Sequence, residues 1–226
     1  MCYSKSSGNK KIVRNLLYDH RQGYDTHYSF WIDKPDKPGK IKKLTEVLAD
    51  NKEIRAEFQR LGLLEKNGKI TNPMIADALL ISPIVRKFIY EDHAKNIFQE
   101  MMAKLKVPDD VKAKLKNDTA TLHEGYYLKK NGNGNMVQMG QLSGSVGKAD
   151  DNAGTFGLRT IRGSLWKGFY SDMMNVAKEG GGVPFKNGKK PVRLIKQLAH
   201  WIGIEEDDIV LDAFAGSGTT GEAVMQ

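Results

Sequence analysis

One segment near the end of the chain limits the possible folds more than any other. It reads Ile209-Val210-Leu211-Asp212-Ala213-Phe214-Ala215-Gly216-Ser217-Gly218-Thr219-Thr220-Gly221. The three apolar residues predict a short buried strand, the glycines predict a tight turn, and Thr219 predicts the start of a helix. Glycines let the backbone approach a ligand where a Cβ would clash, and a helix start offers free N–H groups. The segment therefore predicts a nucleotide-type cofactor site in an α/β fold.

Three ligand classes compete for this turn. Gly216, Gly218 and Gly221 form a G-x-G-x-x-G pattern, which alone fits a dinucleotide-dependent oxidoreductase. A P-loop needs a lysine after its last glycine, whereas Thr219 follows Gly218 here. Asp212 repels phosphate but can pair with an amino group or a hydroxyl, and this favours S-adenosyl-L-methionine. A turn that only connects a strand to a helix remains the simplest alternative.

Two segments in a fixed order carry a resemblance to a known family. The glycine segment resembles motif I of the DNA amino-methyltransferases, usually Asp-Pro-Phe-Ala-Gly-Ser-Gly-Thr-Thr, with Ala213 in place of the proline. The upstream run from Val183 to Ile195 resembles their motif X, which precedes motif I only in the permuted, beta-type order. Trp166 with the glycines at 180–182, and the N-terminal Tyr3-Ser4-Lys5, resemble the modification (Mod) subunits of type III restriction-modification systems.

The resemblance implies a cofactor and a set of residues that bind it. The cofactor is S-adenosyl-L-methionine, and the implied fold is a partial Rossmann-like methyltransferase domain with an inserted, mainly helical target recognition domain. Asp212 would orient the turn or the methionine ammonium, and Phe214 would pack at the cofactor or in the core. The cofactor-binding residues implied in this way are Asp212, Phe214, Ala215, Gly216, Ser217, Gly218, Thr219, Asn187, Lys190 and Pro191.

The catalytic motif of the family is absent from the sequence. Such enzymes carry Asp-Pro-Pro-Tyr or a close variant, whose aromatic ring stacks on the flipped base. Asn72-Pro73-Met74-Ile75 is the nearest match, and it is more typical of a helix start. In the permuted order the motif would lie before Met1. We therefore expect an internal piece of a longer protein, with no catalytic residue of its own and no methylation of DNA by itself.

The pattern along the chain predicts three regions. Residues 1–34 would end the catalytic half and form a linker, 35–155 would be the target recognition domain, and 156–226 the partial methyltransferase domain with motifs X and I. Within the second region we expect helices over 40–118, including one long helix from Ile84 to Lys106. Asn131-Gly132 and Asn133-Gly134 predict a hairpin, and Lys190 to Trp201 predicts an amphipathic helix.

Charge and composition add a partner and exclude other classes. The net charge is +8, and because residues 131–226 hold ten basic and ten acidic residues, the excess lies in the first 130. A basic half indicates that the protein binds a polyanion, here double-stranded DNA. We expect the Lys and Arg residues between 34 and 116 to contact phosphates, and Arg159 and Arg162 either to contact DNA or to lie on the surface. The sequence has one cysteine, and its histidines lack the spacing of metal ligands, so we predict no metal site. It contains neither a secretory signal nor a long apolar run, so we predict a cytoplasmic protein without a membrane span.

The resemblance implies methyl transfer to adenine N6, with a possible restriction subunit and a homodimer of the full-length protein as partners. Two alternatives stay open. Motifs X and I do not separate adenine N6 from cytosine N4, and a non-catalytic DNA-binding remnant would keep the same basic half.

Overall fold

The computed structural model describes residues 15–103, 105–151, 156–179, 185 and 188–226. The chain forms two compact units. The sheet unit comprises Arg21–Gly147 and Phe156–Arg159, and the glycine-loop unit comprises the described residues of 1–20, 148–155 and 160–226. The domain boundaries after residues 34 and 155 remain predictions.

The elements have the following bounds. The strands are β1 Tyr18–His20, β2 Phe30–Ile32, β3 Ile41–Lys43, β4 Ile97–Met102, β5 Thr121–His123, β6 Tyr126–Lys130, β7 Met136–Gln141, β8 Val146–Lys148 and β9 Phe156–Ile161. The helices are α1 Leu44–Asp50, α2 Lys52–Arg60, α3 Asn72–Ile81, α4 Pro83–Arg86, α5 Asp109–Lys114, α6 Tyr170–Asn175, α7 Val192–Ile202 and α8 Thr219–Met225. A π-helical turn, Lys87–Asp92, follows α4, and short 3₁₀ turns span Leu142–Ser145 and Val176–Lys178.

An antiparallel sheet of six strands organises the sheet unit. Its order is β3-β2-β4-β7-β6-β5. In the register of its central strand β4, Phe98 lies opposite Phe30 of β2 on one side and Gln141 of β7 on the other. The predicted hairpin is confirmed, since β6 and β7 pair directly and the side chain of Asn131 accepts hydrogen bonds from the backbone of Asn133 and Asn135.

The prediction of a mainly helical module is wrong in part, because the sheet unit mixes helices and strands. The long helix predicted from Ile84 to Lys106 ends in the π-helical turn before His93, and the chain then continues as β4. Ile97 and Phe98 are buried against sheet neighbours from distant parts of the chain. These long-range pairs outweigh the local apolar spacing, which fits a helix equally well.

The helices of the sheet unit enclose its largest hydrophobic core. Leu44, Leu48, Ile54, Phe58 and Ile75 are all buried there. Leu44 and Leu48 of α1 are four residues apart, as are Ile54 and Phe58 of α2, and this spacing places each pair on one helical face. α3 begins at Asn72, with Thr71 as its N-cap and Pro73 in its first turn, so the helix start expected at Asn72-Pro73 is confirmed.

A buried carboxylate links α2 to the start of α4. Glu57 is only 4% exposed, and it accepts hydrogen bonds from Arg60 at 2.6 and 2.8 Å and from the Ser82 hydroxyl at 2.5 Å. These bonds, chiefly the one from Arg60, lower the pKa of Glu57 from 4.5 to about 2. Ser82 also accepts the backbone N–H of Val85, so the same network caps α4.

The glycine-loop unit is built around α7. The predicted amphipathic helix is confirmed with slightly different ends, since Pro191 is the N-cap and Gly203, with a φ of +72°, is the C-cap. α7 packs against α8, whose predicted start at Thr219 is also confirmed.

The buried strand predicted over Ile209-Val210-Leu211 is wrong. These residues form no strand, and Ile209 and Leu211 are 96% and 88% exposed. A short apolar run is buried as a strand only when other strands lie alongside it. Among the described residues no strand pairs with this segment.

Within the described part of the chain, no helix combines the length and the apolar character needed to cross a membrane.

Candidate cofactor site

The glycine turn adopts backbone conformations that favour glycine. Gly216 has a φ of +53° and Gly218 a φ of +76°, both in the left-handed region. The N–H of Gly218 donates to the carbonyl of Ala215 at 2.8 Å and closes the turn just before α8. We call residues 212–219 the glycine loop. Its shape therefore depends on residues that other side chains would strain.

Asp212 and Phe214 open the glycine loop. The Asp212 carboxylate accepts the backbone N–H of Phe214 at 3.2 Å, a contact within the turn, and its role towards the cofactor stays a prediction. The Phe214 ring is 92% exposed, which excludes the simple interpretation of this side chain as core. A large exposed ring beside a carboxylate offers an apolar surface next to a negative charge.

The two hydroxyl groups of the loop pair with each other. Ser217 and Thr219 are buried, and their side-chain oxygens lie 2.9 Å apart. This contact fixes the loop where it joins α8. Both hydroxyls therefore act first as internal supports of the loop.

The motif X segment lies against the glycine loop. A Cβ added to Gly216 would lie 3.7 Å from Cζ of Phe185, so the two segments come close at this point. Together they line a cavity of about 280 Å³. Its walls include Phe185, Gly188, Lys189, Lys190, Ile195, Asp212, Phe214, Ala215, Gly216, Ser217, Thr219 and Thr220.

Most of the predicted site residues meet in this cavity. Lys190 is exposed in its wall, with six residues of the glycine loop. Pro191 and Gly218 directly adjoin lining residues, and the predicted Asn187 lies outside the described residues. Sequence reasoning missed Phe185, Gly188, Lys189, Ile195 and Thr220. The first four belong to the segment matched to motif X, so that match was the signal that could have found them.

Glu179 and Lys189 hold the start of α7 in place. The Glu179 carboxylate accepts the backbone N–H of Val192 at 2.9 Å and so caps the helix. The buried Lys189 ammonium donates to the carbonyl of Glu179. These two contacts fix the segment that carries Lys190 and Pro191.

Arg193 ties the first turn of α7 to the region before it. Its guanidinium forms an ion pair with Asp172 at 2.7 Å and lies 4.4 Å from the centre of the Phe169 ring. It also donates to the backbone carbonyl of Asp150. The orientation of α7 thus rests on a charged network as well as on apolar packing.

Other predicted candidates fall outside this site. Arg162 was expected either on the surface or in contact with DNA. It is instead buried, with 8% of the residue exposed, and its Nε forms an ion pair with the Asp19 carboxylate at 2.7 Å. Among the described residues, no cluster of three His, Cys, Asp or Glu side chains could hold a metal ion.

Comparison with known proteins decides the family. The sequence-family model for N6/N4-type methyltransferases, described as DNA methylase, matches residues 19–226 of this chain. The chain belongs to the DNA methylase family. A curated relative from Haemophilus influenzae, described as a probable type III restriction-modification enzyme HindVI Mod subunit, is 26% identical over 238 residues. That match covers 95% of this chain and 29% of the relative, so the chain spans less than a third of the relative's length. No solved structure matches.

The family resemblance expected from motifs X and I is therefore confirmed. The family match extends over both the sheet unit and the glycine-loop unit.

Proposed function

We propose that the glycine loop and the motif X segment bind S-adenosyl-L-methionine for methyl transfer to DNA. This proposal rests on one observation, namely that the two segments line the same cavity. Phe185 and Lys190 reach it from one segment, and Asp212 and Gly216 from the other. The family resemblance links the same two segments, which residues 196–211 separate in the sequence.

The chemistry of the cavity fits this cofactor. The left-handed glycines leave no Cβ on the loop surface, the Asp212 carboxylate can pair with the methionine ammonium, and the exposed Phe214 ring can cover an apolar part of the ligand. The volume of about 280 Å³ lies just below the range of about 300–1,000 Å³ for small-molecule sites. The described residues would therefore enclose part of a nucleoside-sized ligand.

The reaction we propose for the whole protein is methylation of adenine N6. The cofactor supplies an electrophilic methyl group. We propose that the cofactor is held by Asp212, Phe214, Ala215, Gly216, Ser217, Gly218 and Thr219, together with Asn187, Lys190 and Pro191 of the motif X segment.

The residues that would orient the amino group are missing from this sequence, which contains no Asp-Pro-Pro-Tyr. We therefore propose that the 226 residues bind the cofactor but do not transfer its methyl group. The relative's description as the Mod subunit of a type III restriction-modification enzyme supports a DNA-modifying role with a restriction subunit as partner. By the resemblance to that class we propose adenine N6 in double-stranded DNA as the target and a homodimer of the full-length protein. The family also includes N4 methyltransferases, which keeps cytosine N4 as the second candidate.

Isothermal titration calorimetry tests the cofactor proposal. The purified chain is titrated with S-adenosyl-L-methionine and, separately, with NAD. We expect heat of binding with the first and none with the second. Binding of NAD alone would support the dinucleotide interpretation of Gly216, Gly218 and Gly221, and binding of neither would contradict the site.

A transfer assay tests the second part of the proposal. The chain is incubated with DNA and cofactor carrying a tritiated methyl group, and the DNA nucleosides are then separated. We expect no label in the DNA. Labelled N6-methyladenine would show that the chain catalyses the reaction without Asp-Pro-Pro-Tyr, and labelled N4-methylcytosine would also overturn the choice of adenine.

A further inference from the structure

A second cavity in the glycine-loop unit has walls of a different kind. Its volume is about 510 Å³, within the range of about 300–1,000 Å³ typical of small-molecule sites. Leu16 and Ile161 form its apolar rim, Trp166 and Trp201 contribute aromatic rings, and Arg162 also lines it. We call it the tryptophan pocket. None of these residues lines the cofactor cavity.

The two indole rings form a corner. Their centroids lie 5.8 Å apart, and their planes are inclined by 81°. Trp201 is in the last turn of α7, and Trp166 is in the segment after β9. Edge-to-face rings at this distance support each other. A flat ligand that enters the pocket can lie parallel to one ring and meet the edge of the other.

Arg162 brings a polar group to the same pocket. Its side chain is only 2% exposed, its Nε binds Asp19 at 2.7 Å, and its Nη1 donates to Gln197 at 2.5 Å. The guanidinium carbon lies 5.4 Å from the centre of the Trp166 ring. The remaining nitrogen, Nη2, is buried and has no hydrogen-bond acceptor among the described residues. A buried donor without an acceptor is unfavourable, and an acceptor on a ligand would relieve that cost.

We propose that the tryptophan pocket binds an unpaired nucleobase of a DNA strand. Bases stack on indole rings whatever their sequence, and every base carries ring nitrogens or carbonyl groups that accept hydrogen bonds. The identity of the ligand as DNA rests on the proposed function. The shape of the pocket and the unpaired donor do not depend on it.

Charge distinguishes a base from a backbone phosphate at this site. Arg162 is the charged residue in the wall, and the carboxylate of Asp19 already neutralises it. A phosphate would gain little attraction from a cation that is paired in this way. A neutral, planar ring with one acceptor uses both the indole faces and the Nη2 donor.

Tryptophan fluorescence provides a direct test. The chain has three tryptophans, so the variant Trp31→Phe leaves only the two indoles of the pocket as emitters. It is titrated with a single-stranded 12-nucleotide DNA and with an abasic strand of the same length. We expect saturable quenching by the first strand and none by the second. Equal quenching by both strands would show that phosphates bind, and no quenching by either would also overturn the proposal.

Variants in the same background locate the binding site. Trp201→Leu is expected to weaken the apparent affinity at least fivefold, as measured by the remaining indole. Ser164→Tyr serves if Trp201→Leu unfolds, because Ser164 is exposed in the pocket wall and a ring there would block the ligand. Tyr170→Ala is the control, since Tyr170 is 84% exposed and does not line the pocket. Unchanged affinity in Ser164→Tyr and a folded Trp201→Leu would overturn the assignment.

The cofactor titration separates this inference from the proposed function. If S-adenosyl-L-methionine binds and the strand with bases does not quench, only the tryptophan pocket is refuted. If the strand quenches and the cofactor does not bind, the pocket stands and the cofactor site is refuted.

Discussion

Replacement of Gly218 by alanine should weaken cofactor binding through the backbone alone. Gly218 has a φ of +76°, and an added Cβ would meet no atom within 4 Å. The methyl group therefore causes no collision, and the only cost is that of a left-handed residue with a side chain. That cost is about 1–2 kcal/mol. In the empty variant the loop can relax out of the left-handed conformation, so binding must restore it. Because 1.4 kcal/mol corresponds to a factor of ten, the affinity for S-adenosyl-L-methionine should then fall by about 5–30-fold.

Gly221 offers a matched control three residues further on. It too has no atom within 4 Å of an added Cβ, but it lies inside α8 and has no positive φ. Alanine is favoured over glycine inside a helix by about 1 kcal/mol. Gly221→Ala should therefore leave the affinity for the cofactor unchanged and raise the unfolding temperature slightly.

Calorimetric titration of the natural chain and both variants measures the effect, and thermal unfolding shows whether each variant is folded. The reasoning is refuted if Gly218→Ala binds within twofold of the natural chain. It is also refuted if Gly221→Ala loses as much affinity, because the left-handed backbone would then not be the cause.

Two further predictions concern the contacts that hold each unit together. Glu57→Gln should lower the free energy of unfolding at neutral pH by about 1–3 kcal/mol, because a charged acceptor of buried hydrogen bonds is lost. Since folding lowers the pKa of Glu57 from 4.5 to about 2, its contribution is complete above pH 4.5 and is lost as the pH falls towards 2. Denaturant titrations should therefore show a steeper loss of stability in acid for the natural chain than for the variant, and parallel curves would contradict this. Glu179→Ala should cost about 1 kcal/mol, because the backbone N–H of Val192 loses its cap at 2.9 Å. Glu179→Gln, which keeps an acceptor oxygen, is the control, and an equal loss in both variants would show that the charge matters more than the cap.

Elements whose signals are local could be predicted from the sequence. The helix from Val192 to Ile202 has regular apolar spacing, a proline before it and a glycine after it. The hairpin from Tyr126 to Gln141 has asparagine and glycine at its turn. In both cases the residues that form the element lie within a few positions of each other, so the pattern contains the needed information.

Elements that depend on distant partners could not be predicted. The strand Ile97–Met102 carries an apolar pattern that also fits a helix, and its pairing with Phe30 and with Gln141 decides the outcome. The run Ile209–Leu211 fails in the opposite way, since a strand was expected and no neighbouring strand is present among the described residues. Local sequence does not specify which segments lie alongside such a run.

The same distinction applies to the cofactor site. The glycines and Asp212 form a local motif, so the sequence identified them. Phe185 reaches the cavity from the motif X segment, and the packing of that segment against Gly216 shows which of its side chains line the cavity. Arg162 shows the limit of charge as a signal, because its pairing with Asp19 inside the unit is not visible in the sequence.

Photochemical labelling tests the central claim most directly. The chain is irradiated with S-adenosyl-L-methionine that carries a tritiated methyl group and then digested, and the labelled peptides are sequenced. The proposed site predicts label in peptides from residues 185–221, reduced by excess unlabelled cofactor and unaffected by NAD. Label confined to the sheet unit, or label that unlabelled cofactor does not reduce, would contradict the assignment of the glycine loop as the cofactor site.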